Sequence, residues 1–336
     1  MNLRVVLFAG SVLALTAGAL FWRMTDHDVD RRVREPFDVT VSGIEISGTI
    51  WLPDEAVIAA VAMVHGDGAQ DRTMSGGYAP MINALLDHGI AVASWDKPGV
   101  GLSEGNWLRQ TMMDRTVEAR RVLQLLDERF VDKEIGVLGF SQAGWVLPSL
   151  TRADADFLIL IGAAVSWQDQ GDYFTRVRLR RAGLDAQEIE SALAEQASDD
   201  DRVFGKDATV ADAPPGMSPD RWRFIRQNRG ADARQALSVL DLPLLALWGS
   251  EDLNVDPQRN AAAFQDMLGS RDAPTRIRIV PDATHGLLKA RAYNWQLSED
   301  WSPYAIGRFL VEGRHAFAPG ALDQISDWIG ERAGMQ

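Results

Sequence analysis

Residues 57–64 (VIAAVAMV), 89–95 (GIAVASW), 135–140 (IGVLGF) and 157–162 (FLILIG) are apolar or small at nearly every position. A strand with one wet face alternates polar and apolar residues. Runs this continuous need cover on both faces, which is what crossover helices give a parallel sheet. Segments of helical period lie between them at 78–88 and 111–130, and another is expected directly after Ser141. The resulting β-α-β-α order predicts an α/β protein with a mostly parallel central sheet flanked by helices. Two further runs, 243–249 (PLLALWG) and 275–281 (TRIRIVP), continue the pattern around a helix at 257–268, and a closing helix is expected at 321–333. Upstream, FDVTVSGIEISGTIWLP alternates around Gly43 and Gly48 and predicts an antiparallel pair at the sheet edge.

The rhythm breaks at 166–240, where no strand-like run occurs and the residues read as helices, so this stretch is expected to be an inserted helical cap. The expected layout is therefore a signal peptide or membrane anchor at 1–24, a polar linker at 25–36, a core built from 37–165 and 241–336, and the cap between its halves. The apolar or small run at 5–22, within a possible membrane contact at 3–22, is long for a signal-peptide core and long enough to span a bilayer. Ala17 to Ala19 (AGA) would serve as a cleavage site, so both readings stand. A strict count of flanking arginines would keep the body in the cytoplasm, whereas a short basic start before an apolar core is how export signals look; an extracytoplasmic body is expected. The chain's formal net charge of −13 and lack of a basic footprint argue against a nucleic-acid partner. With no cysteine, disulfides and thiolate chemistry are excluded. No His/Asp/Glu cluster has metal-ligand spacing, so neither a metal nor a cofactor is expected.

Chemistry concentrates at GFSQAG, residues 139–144. A strand that turns sharply into a helix leaves no room for β-carbons beside the residue at its tip, and here that residue is Ser141. A serine hydroxyl is un-ionised at neutral pH, so a nucleophilic Ser141 needs a base, and the base needs an orienting carboxylate. His285 in DATHG follows a predicted strand, whereas His315 lies between helices, which makes His285 the expected base. GSEDLNVDP offers Glu251, Asp252 and Asp256 as the acid. Asp252 is preferred, because Glu251 points the other way along the loop and Asp256 precedes a helix-starting proline. For an oxyanion, the backbone N–H of Gln142 is one expected donor. The second is expected from HGDGAQDR at 65–72, with Asp67 first and Gly68 next. His65 precedes the serine and reads as a brace for that loop.

Together, HGDGAQDR, DKPGVGLSEG, GFSQAG, GSEDLNV and DATHG, in this order over about 37–333, resemble an α/β-hydrolase of the serine esterase kind. The resemblance implies Ser141 as nucleophile, Asp252 as acid, His285 as base, and Asp67 with Gln142 as oxyanion donors. It implies a small-molecule ester or acyl substrate. Three departures stand out: Ala143 replaces the usual glycine, Pro98 stands where relatives often carry arginine, and Asp67 places a carboxylate beside the oxyanion site. That charge would repel a developing oxyanion unless turned away or paired, with Arg72 the expected partner. The arginines Arg176, Arg178, Arg180 and Arg181 are expected to be a solvated cap face, and Trp145, Trp167, Trp222, Trp295 and Trp301 are expected to pack in core or cap. The expected activity is carboxylic ester hydrolysis through an acyl-enzyme. Peptidase, amidase or thioesterase action, and a non-catalytic binding protein at the membrane, are the alternatives; oligomeric state is not legible.

Overall fold

A computed structural model describes Gly18 and residues 23–269 and 271–334. The apolar stretch at 5–22 lies, apart from Gly18, outside the described residues, and no described helix is long and apolar enough to cross a membrane.

The chain enters a single eight-stranded sheet of order β1-β2-β4-β3-β5-β6-β7-β8. Strands β1 (Val33–Val41) and β2 (Ile44–Leu52) pair antiparallel. Ser42 (φ 51°) and Gly43 (φ 79°) form the two-residue turn between them, and positive φ at both central residues matches the twist of a tight hairpin. Strand β1 starts at Val33, opposite Leu52, so four residues expected in the linker belong to the sheet. The segment before it is also held down: Asp26 accepts from Arg314 at 2.7 Å, and Arg32 reaches Asn83 at 2.9 Å. Polar composition suggested a tether here, but these charges have fixed partners on the body.

The remaining strands β3 (Ala59–Val64), β4 (Ile90–Trp95), β5 (Glu134–Phe140), β6 (Phe157–Ile161), β7 (Leu244–Gly249) and β8 (Thr275–Val280) run parallel to one another. Their continuous apolar character has the expected cause. In β3, Ala60, Ala62 and Val64 join one core cluster while Ala59, Val61 and Met63 join another on the opposite face. The first face is covered by α2 (Met112–Arg129) and α7 (Pro257–Leu268), the second by α1 (Ala79–Asp87) and α10 (Ala321–Arg332). Helix α2 starts at a reciprocal capping box, in which Thr111 Oγ1 accepts from the Asp114 N–H and the Asp114 carboxylate accepts from the Thr111 N–H at 2.8 Å.

Between β6 and β7 the chain forms α3 (Trp167–Arg181), α4 (Ala186–Phe204), α5 (Pro219–Asn228) and α6 (Arg234–Val239). Val203, Phe204 and Trp222 make a small apolar cluster of their own there. Short helices α8 (Ala290–Tyr293) and α9 (Pro303–Glu312) follow β8 before α10 closes the chain.

Candidate active site

Strand β5 ends at Phe140, and Ser141 takes φ +50°, a left-handed conformation costing roughly 1–2 kcal/mol for a residue with a β-carbon. Its neighbours are small because there is no space. A Cβ on Gly139 would lie 2.6 Å from Ala143 Cβ, and one on Gly144 would lie 2.7 Å from Ala163 Cβ. Ala143 is itself fully buried, its methyl facing the core, so the departure from glycine is absorbed by packing. The α-helix expected after Ser141 is instead two 3₁₀ turns, Ser141–Trp145 and Leu147–Ser149. Pro148 lacks the N–H that an α-helix would use there, and its ring clashes with the preceding turn.

His285 and Asp252 arrive from the loops after β8 and β7. Asp252 is buried; its Oδ2 lies 2.7 Å from His285 Nδ1, and its Oδ1 accepts from the Asn254 and Val255 N–H groups at 2.7 and 2.9 Å. Three donors thus fix one carboxylate, and the carboxylate fixes the ring with Nδ1 as the protonated nitrogen, leaving Nε2 for chemistry. Burial disfavours the imidazolium, but the charge and hydrogen bond of Asp252 outweigh it and raise the His285 pKa. The register brings this ring to the serine. Phe140 pairs with Ile161, so the next residues, Ser141 and Gly162, end adjacent parallel strands about 4.8 Å apart. Gly162 is where the imidazole rests: a Cβ there would lie 2.7 Å from His285 Cε1.

Across the sheet, β3 leads into the loop of His65, Gly66, Asp67 and Gly68. Gly66 faces the serine, since a Cβ on it would lie 3.3 Å from Ser141 Cβ. Each of the loop's carbonyls is held by a side chain: Arg115 Nη2 donates to His65 O at 2.5 Å, Lys97 Nζ to Gly66 O at 2.5 Å and Gly68 O at 2.9 Å, and Gln70 Nε2 to Asp67 O at 2.7 Å. His65 is buried, its Nε2 is bonded to Trp95 O at 2.6 Å, and burial beside Lys97 drops its pKa to about 3, so it stays neutral.

The expected Arg72–Asp67 pair does not form. Arg72 is drawn to Asp96, whose carboxylate it binds through Nε at 3.0 Å and Nη2 at 2.6 Å, with Thr49 Oγ1 2.7 Å from its Nη1. Asp67 is instead met by Gln142 Nε2 at 3.0 Å and by Arg221 Nη2, from cap helix α5, at 3.4 Å. Partial desolvation raises the Asp67 pKa, but Arg221, Lys97 and the Gly68 N–H lower it further, so the group stays ionised and paired. Gln142 is buried, and its Oε1 accepts from Arg115 Nη1 at 2.5 Å.

Contacts from the cap and from β4 escaped sequence reading. Tyr173 of α3 donates to Asp252 O at 2.8 Å. An aromatic row from Trp145 through Trp167 and Phe224 to Trp107, with ring centroids 5.2–6.2 Å apart, joins the turn after Ser141 to the cap. Of the four cap arginines, Arg176 bonds to Glu190 within the cap. Lys97, Arg115 and Arg221 each serve the loop before β4, and only their spacing in three dimensions gives them that role.

An eight-stranded, mostly parallel sheet with a left-handed serine at a strand end defines the α/β-hydrolase fold, and the class is that of serine hydrolases. The family model for serine aminopeptidase, S33, matches residues 55–291, over two thirds of the chain, and the chain belongs to that family. Solved structures similar in fold include an esterase of Pyrococcus furiosus (TM-score 0.53, 14% identity, 90% of this chain and 94% of that one). A carboxyl esterase of Bacillus coagulans (TM-score 0.56, 16% identity, 88% and 99%) and a proline iminopeptidase of Mycobacterium smegmatis (TM-score 0.55, 16% identity, 89% and 99%) are also similar. No curated protein matches the chain.

Proposed function

We propose that the protein hydrolyses carboxylic esters of small molecules, with Ser141 as nucleophile, His285 as base and Asp252 as the residue that orients it. The observation that carries this reading is the 2.7 Å bond between His285 Nδ1 and Asp252 Oδ2, made by a ring that rests on the strand-end neighbour of Ser141. His285 Nε2 takes the hydroxyl proton as Ser141 Oγ attacks the ester carbonyl. The tetrahedral oxyanion is met by the N–H groups of Asp67 and Gln142, and its collapse expels the alcohol, which takes the proton from His285. Water, deprotonated by His285, then attacks the acyl-enzyme and releases the acid. Every step uses the chain's own groups and water.

The family's name favours a second reading, cleavage of an amino-terminal residue. Recognition of a substrate ammonium calls for an unpaired carboxylate near the nucleophile. The carboxylate beside this site, Asp67, is held by Arg221 and Gln142, which supports the ester reading. The test compares p-nitrophenyl esters of increasing acyl length with amino-acid p-nitroanilides, for the wild type, Ser141→Ala and His285→Ala. Ester turnover lost in both variants supports the proposal; preferential turnover of the anilides selects the peptidase. Absence of all turnover and of labelling by a fluorophosphonate would leave a binding protein on a hydrolase scaffold.

We also propose that residues 5–22 deliver the body to the outer side of a membrane, because their apolar length fits export or anchoring. Fractionation of cells with protease digestion of intact ones tests this: a body found soluble inside the cell would overturn it.

A further inference from the structure

The side-chain nitrogen of Lys97 has almost no access to water, the residue being 2% exposed, and among the described residues no carboxylate forms an ion pair with it; the nearby Asp96 and Asp67 pair with Arg72 and Arg221. What its nitrogen holds instead are two backbone carbonyls of one loop, Gly66 O at 2.5 Å and Gly68 O at 2.9 Å, with the face of Trp107 5.2 Å away. Burial and the Arg115 charge lower its pKa, and burying such a nitrogen is costly unless its donors are used, as the two carbonyls use them. The arrangement therefore asks for a purpose in the loop.

Peptide geometry supplies it. In a planar trans peptide, the carbonyl of one residue and the N–H of the next point in opposite directions. Lys97 pulls the Gly66 carbonyl away from the site, so the Asp67 N–H in the same peptide is driven toward the side where Gly66 meets Ser141. Arg115 holds His65 O and Gln70 holds Asp67 O, so the peptides on either side cannot rotate in compensation, and Lys97 also holds Gly68 O one peptide further on. Of the two candidate donors in this loop, the Gly68 N–H shares its peptide with Asp67 O, which Gln70 holds, whereas the Asp67 N–H shares its peptide with Gly66 O, which Lys97 holds.

We infer that Lys97 is a positioning residue for ester hydrolysis: its buried nitrogen sets the Gly66–Asp67 peptide so that the Asp67 N–H meets the oxyanion formed by attack of Ser141. This inference rests on the reading of Ser141 as nucleophile. Its effect belongs to the transition state, because the donor is aimed at charge that develops only after attack.

The test uses the full chain and the variant Lys97→Met, which keeps an unbranched side chain of similar length and removes the donors. Loss of one well-aimed oxyanion donor costs roughly 10²-fold in kcat, so kcat is expected to fall by about that factor with KM changed less than about twofold. Affinity for a trifluoromethyl ketone, which forms a tetrahedral adduct with the serine, should fall in the same proportion. Equal losses in kcat and in ground-state binding, or no loss, would overturn the inference. Lys97→Gln, whose amide retains donors but is too short to hold both carbonyls, is expected to show a smaller loss of the same kind and serves if the methionine variant does not fold. In the wild type, the Asp67 amide proton should move downfield on ketone adduct formation; movement of the Gly68 amide instead overturns the assignment. Fluorophosphonate labelling separates the two levels. A wild type that is not labelled at Ser141 defeats both readings, whereas labelling with unaltered kinetics in the Lys97 variants defeats only this one.

Discussion

The imidazole of His285 occupies the space where a side chain on Gly162 would be: a Cβ at that glycine would lie 2.7 Å from Cε1 and 2.8 Å from Nδ1. Gly162 also has φ +62°, so an alanine there meets both a steric and a conformational penalty. In Gly162→Ala the ring must shift away from Ser141. Expected is a fall in kcat of at least tenfold, with stability lower by about 1–2 kcal/mol and an unchanged far-ultraviolet spectrum. Steady-state kinetics beside a thermal melt check this, and full activity would mean that the ring position does not matter.

Asp252 raises the His285 pKa, and the base must be neutral to accept a proton. The acid limb of kcat/KM is accordingly expected above the ordinary histidine value of 6.5. Asp252→Asn should move that limb to lower pH and cut kcat by roughly 10³–10⁴-fold, since an amide can hold the wrong tautomer. The same raised pKa has a stability sign. The pair stabilises the fold fully below the unfolded value of about 6.5, and that contribution disappears as pH rises through the folded pKa. Melts of wild type and Asp252→Asn across this window should therefore converge toward alkaline pH.

Arg221 pairs with the Asp67 carboxylate beside the proposed oxyanion site. Arg221→Met should lower kcat several-fold by leaving that charge uncompensated. Asp67→Asn removes the charge and should leave activity intact or raised, because the proposed donor is a backbone N–H. In the double variant the loss from Arg221→Met should vanish, a coupling readable from a four-enzyme cycle. A loss in Asp67→Asn as large as that in Ser141→Ala would show that the side chain itself takes part.

Arg72 ties Asp96 to the β2 residue Thr49, and Asp96 is buried. Arg72→Met strands that carboxylate, for an expected loss of about 3–5 kcal/mol in a denaturant titration. Burial works to raise the Asp96 pKa, but the Arg72 hydrogen bond, the Leu102 and Arg72 N–H groups and the Arg72 charge depress it. The pairing therefore stabilises above the unfolded carboxylate value and is lost as pH falls through the folded one. The stability gap between wild type and variant should narrow in acid.

Much of this molecule was legible in one dimension because its signals are local or periodic. Strands buried on both faces must be apolar throughout, and β3 to β7 were visible for that reason. A serine held at φ +50° requires small neighbours, so GFSQAG announced its own geometry. The closeness of Asp252 and His285 followed from their places after β7 and β8, which are parallel neighbours. The two 3₁₀ turns after Ser141 are not visible in apolar spacing, because Pro148, which cannot supply the N–H of a continuing α-helix, sets them.

The amino-acid sequence by itself determined the sheet, the strand-end serine and the order of its partners, since each is written within a few adjacent residues or in a repeating pattern. Only the tertiary structure decided which charges meet. Arg72 lies five residues from Asp67 yet binds Asp96, while Arg221, a cap residue far along the chain, reaches Asp67. Ion pairing and carbonyl capture depend on distances of a few ångströms between segments that folding alone brings together. Lys97 is the clearest case: its two partners are backbone carbonyls, groups every residue carries, so its identity could not reveal where its hydrogen bonds would go.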